Sequence, residues 1–232
     1  VVVASSLSVS GLSSIIVRSA MSRFGTAALV AAGALLLAGC FSIPGHPDDP
    51  QDPECLKHAE FGAPEDSPYV LPYPVGSAYE VFQTYCGPVS HGKDGQMSID
   101  FLMPMGAEVV AARAGIVRQV TDRFEDFGRR FNAIYIEHED GTAAFYGHLK
   151  QGSAKVGVGD HVVAGQVIAS SGASGTSLEH LHFGVASSWP PRRPDDVPVS
   201  FRNSQGALDE RGGLRRGIEY RALAPGLESG LE

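Results

Sequence analysis

The run NAIYIEHEDGTAAFYGH, from Asn132 to His148, decides the fold. Asn132 to Glu137 and Thr142 to His148 both read as β-like runs, with Glu139-Asp140-Gly141 between them. Alternation of apolar and polar side chains marks a strand with two unlike faces, and Asp-Gly between two such runs marks a tight turn. The stretch therefore reads as a β-hairpin, and the same texture continues on both sides. Ser98 to Leu102, Glu108 to Ala112 and Gly115 to Val120 precede it as strand candidates. Val162-Val163, Gln166 to Ser170 and Leu181 to Ala186 follow, with one more short strand at Val197 to Phe201. Helical periodicity is almost absent past the N-terminal apolar run. A content of 28 Gly and 15 Pro in 232 residues also favours short strands and turns. The expectation is an all-β domain.

Length allows one well-packed domain with tails. The net charge of −8 and the lack of any basic patch beyond Arg129-Arg130 and Arg192-Arg193 argue against nucleic acid as a partner. Residues 40–74 are rich in Pro, Asp and Gly and read as a linker, in which His46 and His58 are solvated. Residues 75–205 read as the folded domain and 206–232 as a polar tail.

His180-Leu181-His182 carries the chemistry. Residues two apart in a strand share a face, so the two imidazoles converge while Leu181 and Phe183 enter the core. Such a pair serves a metal site, or a metal with its acid/base partner, or is simply a half-exposed polar face. Its company upstream is His91, Asp100 and His148. Asp100 lies in Ser98-Ile-Asp-Phe-Leu102, where a buried carboxylate needs a partner or a metal. The alternative is that it points to water while Ile99 and Phe101 form the core face. Asp94, in Lys93-Asp-Gly95, is expected in a turn for local hydrogen bonding, and Asp100 is the preferred candidate. Ligation by His91, Asp100 and one of the two paired histidines would leave a zinc ion one open position, the catalytic arrangement. His148, on a strand and reading to the same face as Tyr146, and the remaining histidine would then handle protons. No His-Glu-x-x-His helix supplies a glutamate base, and no Gly-x-Ser-x-Gly turn supplies a serine nucleophile.

Other polar residues have plainer readings. His138 reads as a strand-end structural residue and His161 as surface. Ser170-Ser-Gly172 and Ser174-Gly-Thr176 read as flexible loop, or as one wall of a groove. The segment from Asp122 to Phe131 reads equally as a cap on a groove or an exposed hairpin.

The N-terminus is similar to a lipoprotein leader. Met21-Ser-Arg23 is a short positive region, Phe24 to Leu36 a small-residue apolar run too short to span a bilayer comfortably, and Leu37-Ala-Gly-Cys40 a lipobox. The resemblance implies cleavage of residues 1–39, export, and a diacylglyceryl group on Cys40 that anchors the protein to membrane. Val1 to Ala20 would lie upstream of a start at Met21, the alternative being a non-AUG start at Val1 itself. Phe41, where inner-membrane lipoproteins commonly carry aspartate, leans the anchor toward an outer membrane. With Cys40 lipidated, Cys55 and Cys86 remain, and an even count in an exported protein suggests that they pair.

Four segments in order, SHGKDGQMSIDFLMPMGAEVVAARAGIV, NAIYIEHEDGTAAFYGHL, VGVGDHVVAGQVIASSGASG and HLHF, together resemble the lysostaphin/LytM-type zinc endopeptidases. The resemblance covers about residues 77–185. It implies the LytM-like fold (a compact antiparallel sandwich with a groove), Zn²⁺ held by His91, Asp100 and His182, and His148 and His180 as catalytic histidines. The implied substrate is the peptide cross-link of bacterial peptidoglycan. The chain departs from the commoner pattern in two places. His91 and Asp100 are separated by eight residues instead of three, and Glu179 stands where a small residue or proline usually precedes the histidine pair, either beside His180 or facing water. The alternative function is a non-catalytic peptidoglycan-binding or amidase-activating module, against which the full set of five residues counts. A biotinyl/lipoyl-like carrier, suggested by Val158 to Gln166, lacks a lysine at a hairpin tip. Whether a regulatory protein gates the activity is not legible.

Overall fold

A computed structural model describes residues 51–57, 59–91, 96–192 and 196–225. The readings placed on the leader, Cys40, His46, His58 and Asp94 lie outside the described residues. The strands are β1 Ala78–Gln83, β2 Ile99–Phe101, β3 Glu108–Val110, β4 Gly115–Thr121, β5 Ala133–Glu137 and β6 Ala143–Gly147. They continue with β7 His161–Val162, β8 Val167–Ser170, β9 Leu181–Ala186, β10 Ser204–Gln205 and β11 Glu219–Ala222. The described helices are α1, Pro53–Leu56, and one 3-10 turn, Pro64–Asp66. Nine strands form one sheet in the order β10-β11-β1-β2-β9-β6-β5-β4-β7, while β3 and β8 form a second. Every strand pair is antiparallel, so the all-β expectation is what the structure shows.

Asn132 to His148 forms the β5–β6 hairpin, paired from Ala133↔Gly147 to Glu137↔Ala143. Its turn closes with Gly141 at φ 84° and with the Asp140 carboxylate accepting from the Thr142 amide and hydroxyl.

Register divides the large sheet into two faces. Ile99 opposes Phe183, Phe183 opposes Tyr146, and Tyr146 opposes Ile134, which makes one apolar row across β2, β9, β6 and β5. All four are fully buried. Tyr146 reaches across the core to accept the Ala112 amide just after β3, at 2.7 Å, which stitches the two sheets together. The neighbouring row, Asp100–His182–Gly147, points the other way, into a groove. Asp100 is nonetheless buried, with Gln83 at the end of β1 and His91 of the following loop against its carboxylate.

Three boundaries differ from expectation. The second half of the segment read as linker packs against the domain: Leu56, Phe61, Tyr69, Leu71 and Tyr73 belong to the core. The side chains lack periodicity because the segment, interrupted by the Pro64–Asp66 turn, joins no ladder. Its amides instead find loop acceptors, Val70 on Ala112 O and Leu71 on the Asn203 side chain. Residues 206–225, read as tail, include β11, which pairs with β1 and buries Tyr220 and Ala222. Val197 to Phe201 is extended and buries Val199 and Phe201 without forming a strand. No helix of the described residues is long and apolar enough to cross a membrane.

Cys55 and Cys86 are disulfide-bonded, with Cα atoms 5.9 Å apart, and so tie α1 to the turn after β1. The bond closes a 31-residue separation. Loop entropy for that length gives about 3–4 kcal/mol of stability. Denaturant unfolding of the Cys55→Ser/Cys86→Ser variant should show a loss of that order; an unchanged midpoint would contradict the assigned contribution.

Candidate metal centre

Position in the sheet brings the first two donors together. Asp100 on β2 and His182 on β9 are direct cross-strand partners, and His182 Nδ1 lies 2.9 Å from Asp100 Oδ1. Side chains directly opposite on one face are the closest pairs a sheet offers. His91 comes from the loop after β1. Its Nε2 lies 3.3 Å from His182 Nδ1 and 3.4 Å from Asp100 Oδ2. The candidate donor atoms of these three residues lie within 4.8 Å of one another.

This donor set fits zinc. Two imidazole nitrogens and one carboxylate are preferred zinc donors, and bonds of about 2.0–2.1 Å in a tetrahedron place donors about 3.3 Å apart. The two imidazole nitrogens are 3.3 Å apart, and each has one oxygen of the Asp100 carboxylate near that edge length, Oδ1 at 2.9 Å from His182 and Oδ2 at 3.4 Å from His91. His91 Nδ1 donates to Thr84 O at 3.2 Å, which fixes its tautomer and turns Nε2 into the cluster. A cationic partner also suits the carboxylate. Burial opposes its charge, but the charge of His91 and hydrogen bonds from His182 and His91 outweigh burial and hold Asp100 well below the usual carboxylate range. Burial likewise opposes charge on His91, and the Asp100 carboxylate outweighs it, raising its pKa. Protons therefore compete with a metal for the same atoms.

His148 and His180 complete the group, with ring centroids 4.5 Å apart. Each donates Nδ1–H to a backbone carbonyl at 2.8 Å, His148 to Ser174 and His180 to Leu178. Nε2 of both rings is thereby left as the basic atom. His180 Nε2 lies 3.7 Å from Asp100 Oδ1. His148 does not share a face with Tyr146, as strict alternation predicts. Tyr146 packs on Phe183 in the core, whereas His148 neighbours His180 and His182 in the groove. The cause is its backbone: His148 has φ 59°, a left-handed conformation costing roughly 1–2 kcal/mol for an L residue, and it ends the alternation after Gly147. Gly147 in turn has no room for a side chain, since a Cβ there would fall 2.7 Å from the Phe145 ring.

Aromatic side chains line the groove beside these histidines. Phe131 lies 6.1 Å from both Phe145 and His148, Phe145 lies 5.4 Å from His182, and Tyr135 bridges Phe145 and Trp189. The adjoining cavity, about 240 Å³, is also bounded by Ser98, Gly184 and Arg192. The Asp122 to Phe131 segment therefore ends as a groove wall.

The remaining polar residues sort by burial. His138 is buried and bonds Ala114 O, and His161 is exposed. Glu179 is tied to neither His180 nor water alone: its carboxylate accepts the Met105 amide at 2.8 Å. Ser174, read as flexible loop, is instead fully buried, with its hydroxyl donating to Leu149 O and accepting the Asn132 amide. Small residues in that loop reflect close approach: a Cβ at Gly172 would fall 2.5 Å from the Lys150 backbone. Gln83, which no motif marks, is buried against Asp100.

Residues 94–194 match the model of Peptidase family M23, a span that holds Asp100, His148, His180 and His182 and begins three residues past His91. Lysostaphin from Staphylococcus simulans is 36% identical over 100 residues, 42% of this chain and 20% of that protein. The uncharacterized lipoprotein YgeR from Escherichia coli is 33% identical over 98 residues, 42% of this chain and 37% of that protein. The chain thus spans only about a fifth to two fifths of these relatives. Among solved structures, the catalytic domain of the prophage-encoded M23 protein EnpA from Enterococcus faecalis aligns at 25% identity. It covers 54% of this chain and 93% of that one, with a TM-score of 0.44.

Burial, aided by the neighbouring His180, pushes the His148 pKa down to about 4. A depressed histidine pKa penalises the folded state as pH falls from the unfolded value of about 6.5 toward 4. In the metal-free protein the His148 ring should stay neutral, with its proton on Nδ1, from pH 8 down to 5.5. Nitrogen-detected NMR titration checks this; a midpoint near 6.5 would contradict the burial argument.

Proposed function

From the match of residues 94–194 to Peptidase family M23 and the site's geometry, we infer a zinc-dependent endopeptidase acting on the peptide cross-links of bacterial peptidoglycan. The observation that carries the reading is convergence. His91, Asp100 and His182 bring two imidazole nitrogens and a carboxylate to zinc-like spacings, and two imidazoles whose Nδ1 atoms are engaged by backbone carbonyls stand beside them. His91, Asp100 and His182 are the proposed ligands, and His148 and His180 the proposed catalytic pair.

A zinc ion held there supplies Lewis-acid polarisation of the scissile carbonyl and acidifies water at neutral pH. The protein's own groups do the rest. The substrate peptide lies along the aromatic groove, which excludes bulk water from the reacting bond and strengthens every electrostatic contact in it. Between them, His148 and His180 take the proton from the attacking water and return it to the departing amine, and steady the charge that develops on the carbonyl oxygen. Ser174 O and Leu178 O hold the two rings in the tautomer that leaves Nε2 free for this work.

The same reading places the domain, spanning residues 75–205 at its least, at the cell envelope through a lipid on Cys40, with export and a periplasmic setting. The disulfide, the lipobox and the likeness to a bacterial lipoprotein support it.

The chain from Phe41 onward, purified and assayed for zinc, should hold about one ion and convert cross-linked muropeptides to monomers. His148→Ala should keep zinc and lose about 10²–10⁴-fold in turnover, and His182→Ala should lose both zinc and cleavage. Full turnover in His148→Ala would remove that residue from the mechanism. Zinc without cleavage by the unmutated protein would favour the non-catalytic wall-binding module.

A further inference from the structure

Eight residues separate His91 from Asp100 in this chain, so His91 arrives on a long loop whose placement β2 alone cannot dictate. Something must hold that loop against the sheet. The candidate is Gln83, the last residue of β1, whose side chain is 1% exposed and uses each of its polar atoms. Gln83 Oε1 accepts the amides of Val89 and Ser90, both at 2.9 Å, immediately before His91. Gln83 Nε2 donates to Asp100 Oδ2 at 2.8 Å and to Ser90 Oγ at 3.0 Å. One buried amide thus grips the backbone carrying one candidate ligand and the carboxylate of another.

The geometry that aims it is specific. Val81 pairs with Phe101 and Gln83 with Asp100, so β1 spends two residues where β2 spends one. In an unbroken strand Gln83 would share the core face with Val81. The bulge at Phe82 turns it onto the groove face and into the Asp100–His182–Gly147 row. Gly87 leaves space for the side chain to pass, since a Cβ there would fall 2.5 Å from Gln83 Cγ.

We propose that Gln83 is a positioning residue for the metal centre: through Oδ2 it holds the orientation of the Asp100 carboxylate beside His91 and His182, and through the Val89 and Ser90 amides it fixes the backbone that leads into His91. This rests on the metal-centre reading above and adds to it a residue outside the matched span. The amide is suited to the task because it accepts and donates at once. Neither a carboxylate nor an alkyl chain of the same length does both. Partners that orient ligands in this way contribute about 10–100-fold to metal affinity.

The test is zinc affinity of the full chain, measured by chelator competition at a temperature well below unfolding. Gln83→Met, of similar length and without polar atoms, should remain folded by near-ultraviolet circular dichroism and bind zinc about 10–100-fold more weakly. A purely structural role would lower thermal stability while leaving that affinity unchanged, and this result would overturn the proposal. An unmutated chain that binds no zinc would overturn the metal-centre reading itself. If Gln83→Met does not fold, the unmutated chain decides by NMR. The Gln83 side-chain NH₂ protons should be protected from exchange and should shift when zinc is added. Exchange as fast as an exposed glutamine, or no response to zinc, would refute the clamp.

Discussion

In an antiparallel sheet, register fixes which side chains meet, and here everything depends on Asp100 of β2 lying opposite His182 of β9. That pairing sets a carboxylate and an imidazole at hydrogen-bond distance without help from any loop. A one-residue slip would face Asp100 against Leu181 or Phe183 and turn Ile99 and Phe101 into the groove, and the apolar face forbids it. The row Ile99–Phe183–Tyr146–Ile134, buried throughout, anchors the register, so the core and the site are specified by the same pairing. The core and the candidate site are two faces of one sheet.

The groove face departs from regular strand geometry at two of the residues that build the candidate site. The bulge at Phe82 turns Gln83 toward Asp100. The left-handed backbone at His148 turns its ring away from the core that holds Tyr146. Backbone carbonyls from the 172–180 segment then fix the tautomers of His148 and His180. Such deviations persist only where surrounding contacts over-determine them. Buried Asn132 and Ser174 supply those contacts: the Asn132 amide donates to Ser174 Oγ, and both side chains donate to Leu149 O, beside His148.

The sequence made much of this legible, for reasons that can be named. Alternation around Glu139-Asp140-Gly141 specifies the β5–β6 hairpin, because one side of each strand is buried and the other is not. The spacing of His180 and His182 specifies a shared face, because strand periodicity is two. Alternation misled at His148, since a single positive φ reverses the face and leaves no signature when the residue is not glycine. The packing of Phe61, Leu71 and Tyr73 was hidden in Pro-rich sequence, because extended segments that bond to loops carry no period. Gln83 was invisible for a related reason: its role comes from a bulge, a feature of the pairing and not of either strand alone. Ser174 looked like flexible loop because small residues mark both mobility and close packing, and only the fold tells them apart.

We propose that His91, Asp100 and His182 hold one zinc ion, with Nε2 of His91 and Nδ1 of His182 as the imidazole donors. A crystal of the protein grown with zinc, with anomalous scattering recorded at the zinc edge, tests it most directly. The account predicts a single strong peak within about 2.0–2.2 Å of His91 Nε2, one Asp100 oxygen and His182 Nδ1, with His148 and His180 beside it and not bound. A peak elsewhere, or one ligated by His148 or His180 in place of His182, would contradict it.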